Sequence, residues 1–96
     1  MSPDPSGVSM VQVFIPASLR PLADGQRSVE LAGNTVRDVV LQLESRYPGL
    51  IGRLREGDSL RPGLAVSIDS GISNLGLRQT LPPGCEVHFI PTVGGG

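Results

Sequence analysis

The segment that most restricts the fold is a lone amphipathic helix written between residues 35 and 47. Val36, Val39, Val40, Leu43 and Tyr47 recur at helical spacing and make one apolar stripe, with Arg37, Gln42, Glu44 and Ser45 on the remainder. Thr35 with Asp38 three residues on is a variant of the capping box, Asp standing for the usual Glu or Gln. Pro48-Gly49 predicts the stop, because Pro disfavours the α conformation of Tyr47 and Gly permits a left-handed exit. The segments around this helix alternate with period two, so one helix has to serve a whole sheet, and it can cover only one face.

The alternating segments are 8–15 (Val11, Val13 and Ile15 against Met10, Gln12 and Phe14), 26–31 (Val29 and Leu31), 64–69 (Leu64, Val66 and Ile68 against Ala65, Ser67 and Asp69) and 85–90 (Val87 and Phe89 against Glu86, His88 and Ile90). The first two predict a hairpin. Residues 16–25 and 55–63 read as loops, 70–71 and 82–84 as turns, and 74–77 as a short edge strand. The prediction is an α+β domain at 8–91, a mixed sheet of four to five strands with one main helix across one face. A tail at 1–7 and a flexible Gly-Gly-Gly tail at 92–96 flank it. The uncovered face is expected to carry Gln12, Phe14, Ser67, His88 and Ile90.

A chain of 96 residues makes one small domain, in which a deep enclosed active site is hard to build. Net charge is −1, no Lys/Arg run occurs, and the aromatics are only Phe14, Tyr47 and Phe89. That leaves neither an electrostatic footprint nor a stacking platform for nucleic acid. No apolar stretch approaches the roughly 20 residues that span a bilayer, so no membrane partner is expected. The lone cysteine, Cys85, cannot form an internal disulfide, and with no signal-peptide pattern it points to a cytoplasmic, reducing location.

A search for catalysis returns little. There is no glycine-rich phosphate loop, and Ser73 between Gly71 and Gly76 lacks the spacing of a nucleophile elbow and reads as an exposed turn serine. His88 is the only histidine, so no metal ligand set is expected, and it reads as a strand residue facing solvent or a partner. Cys85 reads as a packed thiol, with Glu86 beside it raising rather than lowering its pKa. The remaining feature is the end of the chain, where Pro91-Thr92-Val93-Gly94-Gly95-Gly96 follows the last strand directly. Glycines lack side chains and can thread a channel closed to other residues, delivering an unhindered carboxylate to an active site on another protein. Once adenylated, such a carboxylate is open to a sulfur nucleophile, which displaces AMP and leaves a thiocarboxylate.

These features together resemble the ThiS/MoaD-like sulfur carriers, over about 8–96. The likeness is carried by Asn34-Thr35-Val36-Arg37-Asp38-Val39-Val40 through Leu43 to Leu50, by Gly84-Cys85-Glu86-Val87-His88-Phe89-Ile90-Pro91, and by the closing Val93-Gly94-Gly95-Gly96. Pro83-Gly84-Cys85 stands where many relatives have Asp-Gly-Asp, and three glycines close the chain where two are usual. The resemblance implies a ubiquitin-like β-grasp fold and no enzyme activity of its own. It implies a role as co-substrate, with Gly96 the sulfur-carrying residue, Gly95 and Gly94 its approach, and a ThiF/MoeB-like adenylyltransferase that uses ATP. Phe14, His88, Ile90 and Val93 are the expected partner-binding residues. Ile15-Pro16-Ala17-Ser18-Leu19-Arg20-Pro21 with Gly25-Gln26 is similar to the CysO-type branch, which supplies sulfur in an alternative route to cysteine. That likeness implies a pyridoxal-phosphate cysteine synthase and a zinc peptidase as further partners, with no cofactor intrinsic to this chain. Delivery to molybdopterin, thiamin or a thio-metabolite, attachment to other proteins as a ubiquitin-like modifier, and a plain interaction module with an inert tail are the alternatives.

Overall fold

The computed structural model describes residues 10–92. The tail at 1–7, and Val93, Gly94, Gly95 and Gly96, lie outside the described residues.

Strands β1 (Met10–Phe14) and β2 (Ser28–Ala32) form the expected antiparallel hairpin, with Met10 opposite Ala32 and Phe14 opposite Ser28. Their alternation places Val11, Val13, Ile15, Val29 and Leu31 in the core. The connection is not a plain loop. Ala17–Ala23 winds into a 3₁₀ segment that buries Ala23 and packs Leu19 and Leu22 on the core, ending in left-handed Asp24 and Gly25.

Helix α1 (Val36–Arg46) starts as the sequence predicts. The Thr35 hydroxyl accepts from the Asp38 amide at 3.2 Å, and the Asp38 carboxylate accepts from the Thr35 amide at 3.1 Å. Val36, Val39, Val40 and Leu43 are buried against the sheet, each worth about 1.5–3 kcal/mol relative to exposure. Tyr47 leaves the helical basin at φ −129°, ψ 86°, as a residue before Pro must. Gly49 is not the left-handed exit, which comes later at Gly52 with φ 82°. It is small because of a close approach, since a Cβ there would sit 3.3 Å from Leu22 Cδ2. Glu44, expected on the solvent side, is buried because Arg55 forks onto its carboxylate at 2.9 and 3.1 Å.

That arginine opens a two-stranded ribbon, β3 (Arg55–Glu56) with β4 (Ser59–Leu60), inside the region read as loop. Strands β5 (Leu64–Ile68) and β6 (Gly71–Ser73) follow, joined by Asp69 and Ser70, both at positive φ. This is the backbone of a two-residue hairpin turn whose twist suits the flanking strands. The edge strand therefore lies at Gly71–Ser73, not 74–77, where Gly76–Arg78 instead makes a 3₁₀ turn that buries Leu77. The chain closes on β7 (Glu86–Pro91). The sheet order is β2-β1-β7-β5-β6, with β7 parallel to β1 and antiparallel to β5. The last strand is thus central in a five-stranded mixed sheet, and α1 covers one face of it.

Candidate functional site

The central position of β7 determines where the chain end leaves the fold. β7 points the same way as β1, so Pro91 and Thr92 lie at the end of the sheet where β1 turns into the Ala17–Ala23 segment. On the β5 side the backbone is held to its last described residue, where the Thr92 amide donates to the Gly63 carbonyl at 2.8 Å. On the β1 side the ladder has to stop. Its register runs from Gln12, whose amide donates to the Cys85 carbonyl at 3.0 Å, through Phe14 opposite His88. Parallel pairing continued from that bond requires the amide of residue 16 to reach the Phe89 carbonyl and the amide of residue 91 to reach the carbonyl of residue 16. Both positions are proline and have no N–H. The two strands part after Phe14, and Arg20 Nε donates to the Ile15 carbonyl at 3.1 Å.

The parting leaves a groove of about 860 Å³ on the sheet face away from α1, between the start of the Ala17–Ala23 segment and β7. Phe14, Pro16, Arg20, Ser67, His88, Ile90 and Pro91 are among its walls. Three of the expected partner-binding residues, Phe14, His88 and Ile90, therefore meet in one groove that also takes in Pro91 at the end of β7. The fourth, Val93, lies outside the described residues. A row of cross-strand neighbours crosses this face of the sheet, Ser28, Phe14, His88, Ser67 and Ile72, and all but Ser28 line the groove. The Phe14 and His88 rings stack with centroids 4.2 Å apart and planes 3° from parallel. His88 Nε2 is 3.5 Å from Glu86 Oε1, at the outer limit of a hydrogen bond. Ser67 is on the predicted face but is not open, since at 4% exposure it lies between the larger side chains of His88 and Ile72.

Sequence reasoning missed two contributors. Ile72 is 66% exposed in the groove wall, on an edge strand that begins three residues before the 74–77 expected from the sequence. Arg20 is, with His88, one of two groove residues able to carry positive charge, and no local pattern tied it to the Ile15 carbonyl.

Cys85 is at the far end of β7 from the tail and 2% exposed. Burial pushes its thiol above the ordinary value, and the carboxylate of Asp69, rather than Glu86, adds to the rise, against a smaller opposing effect from a backbone hydrogen bond. Ser73 ends β6 rather than standing in a turn. Its hydroxyl donates to Gln79 Oε1 at 2.6 Å and accepts from the Leu75 amide at 3.0 Å. Among the described residues no His, Cys, Asp or Glu cluster could hold a metal ion, and no helix is long and apolar enough to cross a membrane. What the described residues bring together on the face away from α1 is a largely apolar groove that reaches Pro91, one residue before the last described position.

Comparison with known proteins agrees with that geometry. The model of the ThiS family matches residues 13–96. The sulfur carrier protein CysO of Mycobacterium tuberculosis is 34% identical over 93 residues, covering 90% of this chain and 98% of the relative. A chain of the Amycolatopsis orientalis BexX/CysO complex superposes with a TM-score of 0.80 at 32% identity, covering 90% of this chain and 99% of that one. Small archaeal modifier protein 1 of Methanosarcina acetivorans superposes with a TM-score of 0.76 at 30% identity, covering 93% of this chain and 98% of that one.

Proposed function

The chain belongs to the ThiS family of ubiquitin-like β-grasp sulfur carriers, and on that premise we propose that its working group is the carboxylate of Gly96. The observation that carries the reading is the exit of the chain from the central strand. Thr92 is pinned to Gly63, and four residues remain beyond it. Fully extended they reach about 14 Å, enough to enter a partner's active site while the folded domain stays outside as the handle. A ThiF/MoeB-like adenylyltransferase docks on the groove through Phe14, His88 and Ile90 and takes hold of the tail at Val93. It joins the Gly96 carboxylate to AMP from ATP, releasing pyrophosphate. Hydrosulfide then attacks the acyl carbon, the bond to the phosphate oxygen breaks, AMP leaves, the proton passes to water, and Gly96 ends in a thiocarboxylate. The chain is the co-substrate in these steps. ATP, pyridoxal phosphate and zinc belong to partner enzymes.

The 34% identity to CysO, and the position of Pro16 and Arg20 of the CysO-like segment in the groove wall, favour delivery to cysteine. The thiocarboxylate sulfur adds to an aminoacrylate held on pyridoxal phosphate by a cysteine synthase, an acyl shift from sulfur to nitrogen leaves cysteine in amide linkage to Gly96, and a zinc peptidase releases it. Mixing the thiocarboxylate form with such a synthase and an activated serine tests this. One cysteine added to Gly96 in the intact mass is the expected result. No adduct, with sulfur delivered instead to a molybdopterin precursor, counts against it. The likeness to an archaeal modifier protein supports a second reading, attachment of the same activated carboxylate to lysines of other proteins.

A further inference from the structure

All eight basic side chains of the Lys/Arg class in the 96 residues are arginines: Arg20, Arg27, Arg37, Arg46, Arg53, Arg55, Arg61 and Arg78. There is no lysine. In a protein that works through an activated carboxyl group, this decides whether a second copy of the chain can receive that group on a side-chain amine. A guanidinium stays protonated at any pH a protein meets and is not a nucleophile, whereas a lysine amine loses its proton readily and attacks an acyl carbon.

The other nucleophiles of the folded domain are closed off for separate reasons. Cys85 is 2% exposed, and burial and Asp69 hold its thiol in the protonated form. It is also out of reach of its own tail. From Cys85 to Thr92 the strand covers about 23 Å at 3.3 Å per residue, while the four residues after Thr92 extend at most about 14 Å. His88 is within that span, but acylation of an imidazole nitrogen gives an acyl-imidazole that water hydrolyses. Hydroxyls such as Ser70, exposed beside the groove, are weak nucleophiles without an adjacent base.

We propose that the folded domain is an acyl donor and never an acceptor: the activated Gly96 carboxyl passes only to amines or sulfur nucleophiles on other molecules, and conjugates of this protein are unbranched. The proposal rests on the activation of Gly96 argued above. When the acceptor is an amine, its nitrogen bonds to the acyl carbon, the bond from that carbon to the phosphate oxygen breaks, AMP leaves, and the amine's proton passes to water. A copy already attached to a target then offers no side-chain amine for the next copy. The branching that a surface lysine allows is excluded by composition alone.

The test uses the full chain with its α-amine acetylated and a thioester installed chemically at Gly96, so that no activating enzyme is involved. Incubated at high concentration and mildly alkaline pH with a lysine-bearing peptide, it is expected to give one peptide per chain. Incubated alone, it is expected to give only the hydrolysed acid. The R53K and R61K variants, each adding one exposed amine, are expected to gain copy-to-copy amides mapped to that lysine. A junction between copies of the lysine-free chain at any side chain of residues 10–92 would overturn the proposal, and so would failure of both variants to gain one. A parallel arm with adenylyltransferase and ATP separates the two ideas. Absence of pyrophosphate release there counts against activation of Gly96, while the thioester arm still reads the acceptor question.

Discussion

Replacing Phe14 by Ala separates a docking role from a packing role, because the core supplies a control of matched fold cost. Phe14 is half-buried, with one ring face stacked on His88 at 4.2 Å. A fully buried Phe→Ala change costs about 3–5 kcal/mol, so a ring covered on one side, stack included, should cost about 2 kcal/mol. Val40 is fully buried in the stripe of α1 and makes no contribution to the groove. Losing its two methyl groups and leaving a cavity should also cost about 2 kcal/mol. In a domain of this size both variants should melt roughly 8–16 °C below the parent. Both stay folded at 20 °C, where the rate of ATP-dependent activation by the adenylyltransferase is measured at low carrier concentration. If Phe14 is an anchor, Phe14→Ala should lower kcat/KM by about 1–2 kcal/mol, roughly 5- to 30-fold, while Val40→Ala changes it less than about 2-fold. Equal losses of activation in the two variants would show that the groove acts through the fold alone and refute the assignment.

Two further outcomes follow from groups outside the groove. Arg55→Met strips a buried carboxylate of both its charged hydrogen bonds and should destabilise the domain by about 3 kcal/mol in urea unfolding, while the double variant Glu44→Leu/Arg55→Met should return to within about 1 kcal/mol of the parent. A single-variant cost below about 1 kcal/mol would mean the pair is solvated. The Cys85 thiol is raised in the fold above its value of 9.0 in an unperturbed state, so the folded form holds its proton where the unfolded one releases it. Stability from this group is complete below about pH 9 and declines as pH rises through the folded value, and Cys85→Ala should remove that alkaline slope. Reaction of the native thiol with an alkylating reagent near pH 8 as fast as free cysteine would contradict this.

The parts legible in the sequence are those fixed by neighbours in the chain. The capping box at Thr35 and Asp38, the stripe from Val36 to Leu43, the break forced on Tyr47 by Pro48 and the alternation of β1, β2 and β7 are all local, and they stand as read. What was missed depends on distant partners or on competing signals. Leu19, Leu22 and Ala23 have the spacing of a helical turn, but Pro16 and Pro21 read as loop formers and hid it. Two-residue strands such as β3 and β4 carry no period to detect. Glu44 looked solvated because its partner Arg55 is eleven residues away, on a ribbon that folds back over the helix. The face holding Phe14, His88 and Ile90 was read from the period of two strands, yet its joining into one groove needed the strand order, with β7 in the middle. The prolines that open the groove, Pro16 and Pro91, acquire that meaning only once the parallel register is known.

Sulfur carriage comes down to one atom exchange at Gly96, and intact mass spectrometry measures it directly. The purified chain is incubated with a ThiF/MoeB-like adenylyltransferase, ATP and sulfide, beside a reaction lacking ATP. A sulfur carrier gains the mass difference between one sulfur and one oxygen, only when ATP is present, and fragmentation places the gain on the last residue. An unchanged mass with several such enzymes, on a chain whose three terminal glycines are verified intact, would contradict the central claim.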